Sequence, residues 1–207
     1  ATDPRSRSGE GRVRGGPHGV LAIVALALAA AAAAASPDLS PDQQRRVADG
    51  EVVVLDVLPP GASASAGGGT AVGRVRAAPE RVWPVLVDYR GHPRYYPRVV
   101  SAELVEADAH HALVRYEVGV GPFSFGFHMM KYPDPARRRI DWHLDPGHAN
   151  NFFRENTGYW QVDPAAGGSR VTYAIAVRTI LPGFVTFGAE RRSLVDTIER
   201  LRKLVEE

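Results

Sequence analysis

Between residues 99 and 179 the chain runs in segments that alternate apolar and polar side chains, broken only by short turn-forming clusters. No other feature constrains the fold as much. The segments are Val99–Ala107, His111–Val120, Phe123–Tyr132, Arg138–Leu144, Phe152–Val162 and Arg170–Thr179. Asp108-Ala109, Gly121-Pro122, Pro133-Asp134-Pro135, Pro146-Gly147 and Ala165-Ala166-Gly167-Gly168 separate most of them. Such residues supply turns. Links this short join antiparallel neighbours, because parallel strands need a crossover of a dozen or more residues. The spacing therefore predicts an antiparallel meander. In its last strand Val171, Tyr173, Ile175 and Val177 share one face, and Arg170, Thr172 and Arg178 the other. Ile140, Trp142 and Leu144 likewise oppose Arg139, Asp141 and His143. A sheet of this kind has one wet and one buried face.

The buried face needs a cover, and the C-terminal segment supplies one. From Gly183 to Val205, Phe184, Phe187, Leu194, Ile198, Leu201 and Val205 recur mostly at threes and fours, which predicts a long helix with one apolar stripe. Pro182 marks its entry. Upstream, Ser40 as N-cap, Pro41 at the first position and Gly50 past the end predict a short surface helix. Glu51–Leu58 and Thr70–Arg76 read as strands around a Pro/Gly/Ser/Ala loop. Gly73, inside the second, signals a bulge or a close backbone approach.

The stretch from residue 78 to 97 links that strand to the meander. Pro79 suits a first helical position and Glu80 complements the dipole of the first turn. Val82, Val85, Leu86 and Tyr89 make an apolar face, and Gly91, Pro93 and Pro97 shape a second short helical piece. The pair is expected to pack against a sheet edge. Pro84 falls inside the first helix, where it lacks a donor for Glu80, so a kink or a later start is expected. The pattern Ala78-Pro79-x-x-Val82-Trp83-x-x-Leu86-x-Asp88-Tyr89, with an aromatic-Pro before a strand, resembles the opening of START-like helix-grip domains. Ile140–Leu144, Gly158–Pro164 and the long helix after Leu181-Pro182 are similar to later parts of the same superfamily, so the resemblance covers roughly residues 68–205. It implies an α+β helix-grip fold, in which a curved antiparallel sheet wraps around a long C-terminal helix with two short helices after the first strand. In that superfamily a cavity lies between sheet and helix. Its members include polyketide cyclases and dehydrases, coenzyme-Q-binding proteins and lipid-transfer domains.

The first 35 residues read differently. Arg5, Arg7, Arg12 and Arg14 precede an apolar run of 16 residues, Val20–Ala35, which ends in seven alanines before Ser36-Pro37. A basic region, a short apolar core and an Ala-x-Ala end are the marks of a secretory signal peptide, and the run is short of the about 20 residues a membrane span needs. Cleavage near Ala35 and a periplasmic or cell-envelope location are expected, leaving residues 36–67 as an N-terminal extension and 68–207 as the main domain. Without the leader, basic and acidic residues balance, which argues against nucleic-acid binding. With no cysteine there is no disulfide, thiol nucleophile or thiolate metal site.

Catalytic patterns are sparse. There is no Gly-x-Ser-x-Gly elbow and no phosphate-binding glycine loop. His143 and His148 lack a metal-ligand spacing, so neither a metal nor another cofactor is expected. Asp141 and His143 share a strand face and could pair. The inner face is bulky and apolar, as ligand pockets and ordinary cores both are. The ligand-binding candidates are Tyr116, Phe125, Phe127, Met129, Trp142, Phe152, Trp160, Tyr173, Phe184 and Phe187, with Arg154 as a polar anchor from the cluster Arg154-Glu155-Asn156. The expectation is an exported, monomeric protein that binds a hydrophobic small molecule or lipid (lipid, isoprenoid quinone or polyketide-like) and touches membranes transiently. The alternative is a cyclase- or aromatase-like enzyme for a polyketide-type substrate, using Tyr116, His128, Arg154 or Glu155 as its acid–base group.

Overall fold

The structure, a computed structural model, describes residues 36–180 and 189–207. The expected leader lies outside the described residues, as do Leu181, Pro182, Phe184 and Phe187. The elements in order are α1 (Pro41–Ala48), β1 (Val53–Leu55), β2 (Gly67–Val75), α2 (Pro79–Val87), a 3-10 helix (Tyr89–Arg94), β3 (Val99–Ala107), β4 (Ala112–Val120), β5 (Phe123–Asp134), β6 (Arg139–Leu144), β7 (Phe153–Ala165) and β8 (Gly168–Thr179). The C-terminal helix, here α3, is described over Ala189–Glu206.

All eight strands form one antiparallel sheet in the order β1-β2-β8-β7-β6-β5-β4-β3, open at both edges. The meander β3 to β8 follows the turn clusters; Ala166-Gly167 closes the last hairpin, with Gly167 at φ 71°. With the C-terminal helix on its inner face, this is the α+β helix-grip architecture. Residues 36–67 are woven into it, since β1 extends the main sheet beside β2.

β2 and β3 are consecutive strands at nearly opposite ends of the sheet order, so the segment between them must cross the sheet. The helix pair makes this crossing. Its 3-10 turn lies beside edge strand β3, but α2 rests on the central strand β7 and on α3. Val82, Leu86, Tyr89 and Tyr95 thus join the main core rather than cap an edge. α2 starts at Pro79 despite Pro84, so the later start does not occur. Pro84 is exposed and only one further turn follows, so the missing bond costs the helix little cooperativity.

α3 buries Leu194, Ile198, Leu201 and Val205 against the sheet. Gly73 meets the second of its two expectations, a close approach: a Cβ there would lie 2.7 Å from Ile198 Cγ2 of α3. The outer face is not uniformly wet. α1, held by a Ser40/Gln43 capping box, packs Val47 with Leu39, Val53 and Val72 into a second small core outside β1 and β2. Arg139, expected to be exposed, is buried on this face; it pairs with Asp141 at 2.7 Å and lies over the Tyr159 ring.

Candidate functional site

Between the inner face and α3 lies a cavity of about 210 Å³. β4 contributes Tyr116, Val118 and Val120, β5 Phe127, Met129 and Lys131, and β6 Trp142. Asn156 and the adjacent Phe152 and Phe153 come from β7 and its entry, Tyr173, Ile175 and Val177 from β8, and Ser193, Leu194 and Thr197 from α3. Period-2 alternation puts the β4, β5 and β8 sets each on one side of its strand. Gly158 is paired with Trp142, and a Cβ on it would lie 2.5 Å from the indole and 2.2 Å from Ala174 O. A glycine is therefore needed for Trp142 to lie flat along the wall.

Of the residues singled out in the sequence, Tyr116, Phe127, Met129, Trp142, Phe152 and Tyr173 line the cavity. Phe125 sits behind it, stacked on Phe152 with centroids 4.4 Å apart. Trp160 is buried beneath the wall, stacked on Tyr173 at 4.4 Å, and donates from Nε1 to the Tyr96 hydroxyl at 2.7 Å. Arg154 is exposed, away from the cavity. The cause is a register shift between Phe153 and Glu155, which leaves Arg154 unpaired in the β7–β8 ladder. A bulge re-aims a side chain in this way. From the same tripeptide Asn156 does point inward, and its Oδ1 accepts from Trp142 Nε1 at 3.2 Å. Glu155 turns to the Ser63 backbone N–H at 2.9 Å and to the Ser63 hydroxyl.

One interior group escaped the sequence reading. Lys131 is 4% exposed, with Nζ 4.1 Å from the Trp142 ring centroid and 5.4 Å from that of Tyr116. It makes no hydrogen bond or ion pair among the described residues. Burial lowers its pKa from 10.5 to about 7. The signal was there: Lys131 shares the parity of Phe127 and Met129 on β5. Sorting residues by type rather than parity hides it.

A polar relay also closes the inner end. His92 is buried, with Nε2 2.9 Å from Leu86 O and Nδ1 2.7 Å from the Tyr116 hydroxyl. Burial first, and then the Lys131 charge, lower its pKa to about 3, so the ring is neutral. A carbonyl can only accept, which puts the ring proton on Nε2 and makes the Tyr116 hydroxyl the donor to Nδ1. Elsewhere, Asp141 pairs with Arg139 rather than with His143, which meets the Tyr132 hydroxyl at 2.9 Å. His148 pairs with Asp145 and stacks on His128. Among the described residues no group of three or more His, Cys, Asp and Glu side chains could hold a metal, and no helix is long and apolar enough to cross a membrane.

Residues 70–206 match the family model described as "Polyketide cyclase / dehydrase and lipid transport". The chain belongs to this family. Solved structures of similar fold include a STAR-related lipid transfer protein from Xanthomonas axonopodis, at 16% identity and TM-score 0.61 over 75% of this chain and 99% of that one. The Zhui aromatase/cyclase from Streptomyces sp. R1128 shares 19% identity at TM-score 0.57, over 66% of this chain and 92% of its own. A START superfamily protein from Mycobacterium smegmatis shares 17% at TM-score 0.56, over 66% and 95%. At these identities the likeness is one of fold. No functionally curated protein matches the chain in sequence.

Proposed function

We propose that this protein is an exported, monomeric binding protein that holds one hydrophobic small molecule (a lipid, isoprenoid quinone or polyketide-like compound) between the sheet and α3, with transient membrane contact when it loads or releases it. The observation that carries the reading is the cavity itself, walled by Phe127, Met129, Phe152, Val118 and Ile175. Binding there would draw on apolar burial, worth about 25 cal/mol per Å². The acid–base candidates support binding over catalysis. Arg154 and Glu155 are not among the lining residues, and neither is His128, which stacks on His148. Tyr116 lines the cavity with its proton committed to His92. The family membership and the lipid-transfer neighbour are consistent with this reading. Export rests on the Val20–Ala35 run and its basic flank.

Native mass spectrometry of the protein, purified gently from its own envelope fraction, tests both parts. A stoichiometric apolar adduct on a chain beginning near Ser36 is the expected result. An empty full-length chain in the cytosol would overturn both. A cyclase-type reading draws on Lys131, whose pKa of about 7 suits a general acid or base at neutral pH. Turnover of a polyketide-type substrate by wild type, lost in Lys131→Met with binding retained, would favour it.

A further inference from the structure

The polar character of this cavity is one-sided. Among the described residues its lining includes no aspartate or glutamate, but it includes two cations: Arg98, which is exposed, and Lys131, which is buried. Lys131 stands at the β5 position paired with Trp142. Its ammonium rests against the faces of Trp142 and Tyr116, which offset part of the cost of desolvation but supply no counter-charge. Buried charges are normally paired. The remaining interior groups point the same way. Asn156 Oδ1 accepts from the Trp142 indole, which orients the amide and leaves both of its N–H donors uncommitted among the described residues. Burial keeps the Tyr173 hydroxyl protonated, and it makes no hydrogen bond among the described residues, so its proton is also uncommitted. The unspent capacity of the interior is thus one positive charge and several donors, with no carboxylate among the described lining residues to answer them.

We infer that the occupant is an amphiphile with a single carboxylate head, paired with Lys131 inside the cavity, and an apolar tail running past Met129 and Phe127 towards Phe152. This rests on the cavity-binding reading above and adds the chemical class of the ligand. One interior ammonium balances one negative charge. A phosphate dianion would bring a second charge that the interior does not answer, since the other lining cation, Arg98, is exposed; a neutral lipid would leave Lys131 unpaired, and a cationic amphiphile would be repelled. The carboxylate accepts from Lys131 and has further lone pairs for the Asn156 and Tyr173 donors, so the ion pair would be hydrogen-bonded as well as charge-balanced.

The test uses the full chain and the fluorescence of N-phenyl-1-naphthylamine, an uncharged apolar probe, displaced by dodecanoate, 1-dodecanol or dodecyltrimethylammonium below their micellar concentrations. Dodecanoate should displace the probe at concentrations roughly tenfold to a hundredfold lower than 1-dodecanol, the range expected for a hydrogen bond to a charged group. Lys131→Met keeps an unbranched apolar stem and removes the charge; it should erase that ratio, whatever its effect on the absolute affinity for the probe. Equal displacement by acid and alcohol in wild type overturns the carboxylate assignment while leaving the cavity reading intact. So does a ratio that survives Lys131→Met. Failure of the probe to bind wild type overturns the cavity reading, and the assignment falls with it. The wild-type comparison decides the matter alone if Lys131→Met does not fold, which circular dichroism would reveal.

Discussion

Lys131 is protonated in the unfolded chain up to about pH 10.5, but in the folded protein burial holds its pKa near 7. Between these values the unfolded state binds more protons, so stability rises with pH across the window. Below about pH 7 the full cost of burying the charge is present; above about 10.5 none of it is. Lys131→Met is therefore expected to stabilise the protein by a few kcal/mol at neutral pH, about 1.4 kcal/mol being the worth of each pH unit of displacement. Urea denaturation at pH 7 and at pH 10.5 would check this. The gain should fade at the higher pH, and a pH-independent gain would mean that packing, not charge, is responsible. Stability sacrificed at one interior position is a familiar companion of function. At this scale the sequence was legible in its aromatics and less so in its polar groups. Tyr116, Phe127, Met129, Trp142, Phe152 and Tyr173 reach the cavity because alternation is a geometric property of strands. Arg154 does not, because the shift after Phe153 breaks the alternation without leaving a mark in composition. Asn156 was legible only as one of three neighbouring polar residues. Gly158 carried no signal of its role, which depends on the indole across from it.

The strands of the meander could be read to within one to three residues at each end: β3 spans Val99–Ala107 as its pattern predicts, whereas β5 runs on to Asp134, β7 runs on to Ala165 and β8 starts at Gly168, all inside the expected turn clusters. Placement of the helices was harder, because an amphipathic stripe says that a face is buried and not against what. α2 reaches the sheet centre because β2 and β3 lie far apart in the sheet order. α1 covers outward-facing Val72, which alternation alone would leave wet. The seat of α3 is fixed at Gly73, where the Ile198 methyl occupies the space a side chain would need. Gly73→Ala should push the helix off β2 and cost about 1–3 kcal/mol, as overpacking generally does. The midpoint of chemical denaturation would show the loss. Gly73→Ala combined with Ile198→Ala, which removes the Cγ2 methyl, should cost less than the sum of the two single changes, whereas strictly additive costs would mean that the two sites do not touch.

At the scale of the whole molecule the open sheet leaves two edges, and β3 is the longer, with nine residues against three in β1. Val100 and Val105 are exposed along it. An edge of this kind invites pairing with a second chain unless charges or irregularities prevent it. β3 has both: Glu103 and Glu106 are exposed, and register shifts interrupt its ladder between Val99 and Ser101 and between Leu104 and Glu106. Replacing both glutamates by valine should make the protein self-associate with concentration more strongly than wild type in sedimentation velocity. A double variant that self-associates no more than wild type would credit the bulges alone with the protection.

The pairing of β2 with β8 matches Gly67 with Val177, and it is the sheet's one connection between strands distant in sequence; every other ladder joins consecutive strands. Closing so long a loop is entropically expensive until local hairpins have formed. Gly68 belongs to the cavity wall, and β2 carries it there. The pocket is therefore completed only when the most remote strand of the sheet arrives. A bound molecule should accordingly leave the refolding rate nearly unchanged and slow unfolding, because its contacts form after the rate-limiting barrier. Stopped-flow refolding and unfolding with and without dodecanoate would display that asymmetry. For such a protein the cargo acts as a lock on the way out of the folded state and gives no help on the way in.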